Sequence, residues 1–101
     1  MTTEVSVRDN PDRSRLEAVL HDGRVAGYAH YRAGQPAYVF DHTVVADEFE
    51  GQGIGATLAD GVVAYAREKG LGVVPECSFL RAHFARHRDT QDVLAEGVDL
   101  G

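Results

Sequence analysis

The sequence predicts an α/β fold of the α+β kind: a four-stranded antiparallel meander, a long helix, a fifth strand parallel to the fourth, and a C-terminal helix. Three observations carry this prediction. Runs of period two, separated by turn residues, occupy residues 4–45. An apolar stripe at helical spacing then runs from Ile54 to Tyr65. A short apolar segment after Gly70 is reached from the fourth strand only through that helix, and such a connection closes as a right-handed crossover between parallel strands. At 101 residues the chain is read as one domain, 1–101, long enough for one core and too short for two.

Each element has its local reason. Glu4-Val5-Ser6-Val7-Arg8 alternates and stops at the turn cluster Asn10-Pro11-Asp12, and Arg15-Leu16-Glu17-Ala18-Val19-Leu20 resumes the extended pattern. His21-Asp22-Gly23 carries the Asp-Gly signal of a two-residue hairpin, and Arg24 to Tyr31 forms the third strand. Gly34-Gln35-Pro36 turns the chain again before Ala37 to Val45, a strand rich in β-branched and aromatic residues. On the helix, Ile54, Leu58, Val62 and Tyr65 share a face that Ala59, Val63 and Ala66 widen. Burying each larger side chain is worth about 1.5–3 kcal/mol, more than the cost of under about 1 kcal/mol for Gly61 within the helix. Lys69-Gly70 supplies a cation and a left-handed cap at its end. Leu71-Gly72-Val73-Val74 is the fifth strand, and Pro75, lacking an N–H, puts that point at an edge, at an end or where strands diverge. Ser78 is the expected cap of a helix carrying Phe79, Leu80 and Phe84, and Asp89-Thr90 that of a last short turn. Residues 95–101 have little to bury and are expected to fray.

Composition narrows the function. Hydrophobic residues at 44% and charged residues at 26% are globular values. There is no apolar run of membrane-spanning length and no basic–hydrophobic leader, so a soluble cytoplasmic protein without membrane association is expected. A lone cysteine, Cys77, excludes an internal disulfide and suits a reducing compartment. The formal charge of -6 argues against nucleic acid as a partner.

The stretch richest in chemistry is Glu50-Gly51-Gln52-Gly53-Ile54-Gly55, at the turn from the fourth strand into the long helix. The first N–H groups of a helix lack internal partners and stand at the positive end of its dipole, so they attract an anion. Gly51, Gly53 and Gly55 carry no Cβ, which lets a diphosphate lie on the peptide groups. The loop is not a P-loop, since no Gly-Lys-Ser or Gly-Lys-Thr follows, and the chain is too short for a complete dinucleotide-binding fold.

With that loop on a ββββαβα pattern, the chain resembles a small member of the Gcn5-related N-acetyltransferase superfamily, whose signature of Gln or Arg, two residues, then Gly-x-Gly or Gly-x-Ala falls at this place. Its closer resemblance is to the short, stand-alone YjdJ-like and NATD1-like subgroup, on His42-Thr43-Val44-Val45, on the glycine loop with its helix, and on Val74-Pro75-Glu76-Cys77-Ser78-Phe79. The resemblance covers about residues 38 to 94. It implies acetyl-CoA as co-substrate and an amine as acceptor, the diphosphate held by Glu50, Gly51, Gln52, Gly53, Ile54 and Gly55. It also places the thioester against backbone N–H groups near Val44 and Val45. Two departures stand out: Glu50 is an acid where Gln or Arg is usual, so its side chain must turn away, and there is no room for the helices that shape the acceptor site in larger members.

Transfer of acetyl from a thioester to an amine needs a neutral amine, donors for the developing oxyanion and a proton for the leaving thiolate. Cys77 ends a strand before a helix N-terminus, which favours thiolate, whereas adjacent Glu76 opposes it. The resemblance puts Cys77 at the catalytic place, either protonating the departing CoA or accepting the acetyl group. His42, just before the expected oxyanion donors, matches the subgroup's His-Thr pair, and imidazole with its ordinary pKa of about 6.5 suits a base. His83 and His87 lie one helical turn apart, but there is no second cysteine and no His-Glu-x-x-His, so no metal is expected. The leading expectation is an acetyl-CoA-dependent N-acetyltransferase. The alternatives are a noncatalytic CoA-binding or acyl-CoA-binding module and an interaction domain whose loop binds nothing.

Overall fold

The computed structural model describes residues 5–34 and 37–100; Glu4, Gln35, Pro36 and Gly101, which belong to the expected first strand, third turn and tail, lie outside the described residues. In chain order come β1 (Val5–Asn10), β2 (Arg15–Leu20), β3 (Val25–Arg32), β4 (Ala37–Val45), α1 (Ile54–Lys69), β5 (Gly72–Pro75) and α2 (Ser78–Arg86), with short 3₁₀ turns at Pro11–Arg13, Asp47–Phe49 and Arg88–Val93. The strands form one sheet in sequential order, antiparallel from β1 to β4 and parallel between β4 and β5. Fold class and topology are those the sequence predicts, and β4 and α1 have the expected bounds.

Turn chemistry closes the hairpins. The Asp22 carboxylate accepts the Arg24 N–H at 3.0 Å and Gly23 takes a left-handed φ of 91°, but the connection is a three-residue loop, His21 to Gly23, between paired Leu20 and Arg24 rather than the expected two-residue turn. At the first turn Ser14 takes a left-handed φ of 53° and donates its N–H to Pro11 O at 3.2 Å. Ala59, Val62 and Ala66 of α1 are buried against the sheet beside Leu16, Tyr31 and Phe40, and Leu58 beside Ala18, Leu20 and Ala26. Gly61 has a positive use here: a Cβ on it would lie 2.6 Å from a methyl of Val7, so its absence lets α1 settle onto β1.

Leu80 and Phe84 of α2 and Val93 of the last 3₁₀ turn join the same core as Val62 and Phe40. All the helical elements that build this core therefore lie on one face of the sheet. Arg15, Glu17, Tyr28, His30, His42 and Val44 stand on the other, where no helix of the described residues packs.

The expected cap of α2 needs correction. The cap of α2 is Cys77, in extended conformation with φ −75° and ψ 129°, and Ser78 is its first helical residue. Residues 95–100 of the tail make contacts with the rest of the fold. Ala95 donates its N–H to Val73 O at 2.9 Å, Leu94 bridges Val73, Leu100 packs on the core, and Arg81 donates to Asp99 O at 2.8 Å. The reason is the short edge strand β5, whose outer side needs a hydrogen-bond partner that the tail supplies.

Candidate functional site

The site begins where β4 and β5 part. Their pairing runs from Ala37 with Gly72 to Phe40 with Pro75 and stops there. Pro75 has no N–H to continue the ladder, and Phe40 O instead accepts the N–H groups of Glu76 at 2.9 Å and Cys77 at 3.3 Å. A bulge at Asp41, the extra β4 residue between the His30–His42 and Tyr31–Phe40 pairs, bends β4 at the same level, so residues 41–45 run on without a β5 partner. Ala46 N–H donates to Ala26 O, which fixes the alternation: Val44 and His42 use their backbone groups on β3, while those of Thr43 and Val45 point into the gap. The backbone donors in the Val44–Val45 region are thus Thr43 and Val45 rather than Val44.

Across the gap the half-buried Cys77 faces Thr43, with Sγ 3.5 Å from Thr43 Oγ1. Burial pushes the thiol pKa up, but the Thr43 hydroxyl and the backbone N–H groups of Leu80, Phe79 and Thr43 outweigh it, and the net displacement is downward. Glu76 does not oppose this, because its carboxylate turns to Arg32 at 3.0 Å.

Beside the gap lies the glycine loop. Gly51 and Gly53 have φ of 81° and 77°, which glycine alone adopts without strain, and a Cβ on either would meet nothing within 4 Å. The first helical bond of α1 runs from Thr57 N–H to Gly53 O at 3.0 Å, which leaves the N–H groups of Ile54, Gly55 and Ala56 ahead of it. No acid occupies that first turn. Glu50 is exposed, and Ile54 contributes only backbone because its side chain is core. Gly55 differs from its two neighbours: a Cβ there would lie 2.8 Å from Phe79 Cζ, so this glycine admits an aromatic ring rather than a ligand. An open cradle of backbone donors, with no acid in the first helical turn and Glu50 exposed, fits a diphosphate.

His42 and Val44 are exposed on the helix-free face, Val44 at 42%. Thr43, paired with core Ala29, faces the helices, so the sheet stands between the His42 ring and the Cys77–Thr43 contact. The His42 ring is 6.3 Å from that of His30, whose Nδ1 lies 2.7 Å from Asp41 Oδ1. Burial raises the Asp41 pKa, but the hydrogen bond and charge of His30 outweigh it and hold the carboxyl below its ordinary value. A cleft of about 220 Å³ on this face is lined by Tyr28, Val44 and Ala46 among others. A larger one of about 270 Å³ lies between β1 and α1, lined by none of these residues. Sequence reading missed the His30–Asp41 pair and Thr43, since strand register and the bulge bring them into place; the triplet Asp41-His42-Thr43 was the available signal.

The comparisons with known proteins agree with this geometry. The family described as GCN5-related N-acetyl-transferase matches residues 15–93. Among solved structures, the NMR structure of a GCN5-like protein from Staphylococcus aureus is similar at 27% identity and a TM-score of 0.67, over 89% of this chain and 87% of that one. No curated protein matches. A strand pair that parts beside a glycine-rich helix N-terminus, on a sheet of this order, and a family match across most of its length lead to one conclusion: the chain belongs to the GCN5-related N-acetyltransferase family.

Proposed function

We propose that the protein is an acetyl-CoA-dependent N-acetyltransferase of the short YjdJ-like and NATD1-like kind, acting on an amine: a small amine, a lysine side chain or an N-terminus. The observation that carries this reading is the divergence of β4 and β5 beside the open glycine loop. The loop N–H groups, from Gly51 to Ala56, hold the diphosphate. Val45 offers its N–H group to the thioester oxygen as it becomes negative, stabilising the charge only where it develops, while the Thr43 N–H serves the Cys77 thiol. Cys77, its proton labile through Thr43 and the first turn of α2, protonates the departing thiolate. Two imidazoles, His42 and His30, stand on the helix-free face, from which an amine reaches the gap without crossing the helices.

Thermal denaturation with CoA and with acetyl-CoA tests the site. At one hundred times the dissociation constant the ligand adds about 2.7 kcal/mol, which raises Tm by about 10–20 °C for a domain of this size. No shift at millimolar CoA overturns the reading. Mass spectrometry after incubation with acetyl-CoA and a mixture of amines and lysine-containing peptides then looks for acetylated product. Binding without any acetylated product makes the protein a noncatalytic CoA-binding module.

A further inference from the structure

Resting on the acetyltransferase reading, we propose that His30, held by Asp41, is the general base that takes the proton from the acceptor amine. As the N–C bond forms, the attacking nitrogen turns cationic and must lose a proton. That proton passes to His30 Nε2. The C–S bond breaks, and the thiolate receives the Cys77 proton; solvent then returns the one proton that His30 holds to Cys77, so an amine and a thioester give an amide and a thiol.

The geometry separates His30 from His42. Asp41 accepts the His30 Nδ1–H at 2.7 Å, which fixes the tautomer and leaves the Nε2 lone pair free to take a proton. The His42 ring makes no hydrogen bond among the described residues, so no acceptor sets its tautomer. Burial of Asp41, whose side chain is 17% exposed, strengthens its hold, while the His30 side chain at 35% remains within reach of an entering amine.

His30 belongs to β3 but is tied to the first β4 residue beyond Phe40, the point at which β5 departs. Its ring therefore stands at the level where the gap opens, on the face from which an amine enters. The groups facing it are Arg15 of β2, its cross-strand partner, Asp41 and His42 of β4, and Arg32 of β3. Arg32 also reaches Glu76 beyond β5 at 3.0 Å, closing the near end of the gap on this face.

Two measurements test the assignment. Long-range ¹⁵N NMR of the folded protein reads the tautomers directly: His30 is expected protonated at Nδ1 with Nε2 bare, and Asp41→Asn is expected to abolish that preference. An Nε2–H tautomer at His30 overturns the proposal. Steady-state CoA release is then followed against pH, with acetyl-CoA and the same mixture of amines and lysine-containing peptides. His30→Gln is expected to lower kcat/KM at pH 7 about 100-fold and to remove the acid limb of the profile, with CoA affinity unchanged. Asp41→Asn is expected to lower it less, with the limb displaced. If wild type acetylates nothing, the acetyltransferase reading falls and the base with it. If wild type is active and His30→Gln stays within threefold, or His42→Gln alone removes the acid limb, only the base assignment falls.

Discussion

Cys77 shows how one side chain's chemistry depends on neighbours that are remote in sequence. Its sequence neighbour Glu76 turns away to Arg32, while Thr43, on another strand, lies 3.5 Å from the sulfur. If Cys77 donates a proton to the departing thiolate, Cys77→Ser should lower turnover by about 10²-fold with CoA affinity unchanged, since general acids are worth about 10²–10⁴-fold and water substitutes in part. Near-complete loss, with ping-pong kinetics and a trapped acetyl-thioester in wild type, would instead identify a nucleophile. His83 makes a second prediction, on stability. It is 5% exposed, its Nε2 has no hydrogen-bond partner among the described residues, and Asp60 is 3.6 Å away. Burial first, and then neighbouring His87, push its pKa down, only partly opposed by Asp60. The unfolded chain therefore takes up this proton at about pH 6.5, before the folded one does, and stability is lost as pH falls through that value. His83→Leu should narrow the difference in Tm between pH 7.5 and pH 5.5; an unchanged difference would assign the pH dependence elsewhere.

At the scale of elements, the loop between β4 and α1 uses its three glycines in two ways. Gly51 and Gly53 hold positive φ over open space, whereas Gly55 makes room for Phe79 and so ties the start of α1 to the start of α2. Valine at Gly53 would be strained with or without ligand, so it cannot separate folding from binding. Asparagine tolerates the left-handed region. Gly53→Asn should cost under about 1 kcal/mol of stability yet weaken CoA binding more than tenfold, because its side chain enters the space a diphosphate would use. Calorimetric titration of a folded variant with undiminished affinity would move the diphosphate away from this loop. The Gly61 contact with Val7 teaches the same lesson: the sequence suggested a tolerated helix defect, and the packing made it a point of close approach.

For the whole molecule, packing the helices on one face joins the tail to the core and leaves the other face for an incoming acceptor. Removing residues 95–101 takes away the Ala95 bond to Val73 and the Leu100 contact, and should cost about 2 kcal/mol by urea denaturation. A loss below about 0.5 kcal/mol would return the tail to the frayed segment that its composition suggests. Among the described residues the helix-free face carries no large insertion, so the acceptor would meet strand residues directly: Tyr28, Val44 and the His30–Asp41 pair.

By itself the sequence determined the order and type of every main element, because period-two runs, a period-3.6 stripe and Asp-Gly and Gly-x-Gly signals are local and act within a few residues. It also located the loop and the lone thiol. What it could not hold was register. The bulge at Asp41 decides that His30 and Asp41 meet, and strand alternation decides that Thr43 and Val45, not Val44, turn their amides to the gap. Likewise the lowered thiol pKa comes from groups on β4 and α2 that become neighbours only when the strands part at Pro75. One residue of slip would turn each side chain to the opposite face, and tertiary packing is what excludes it.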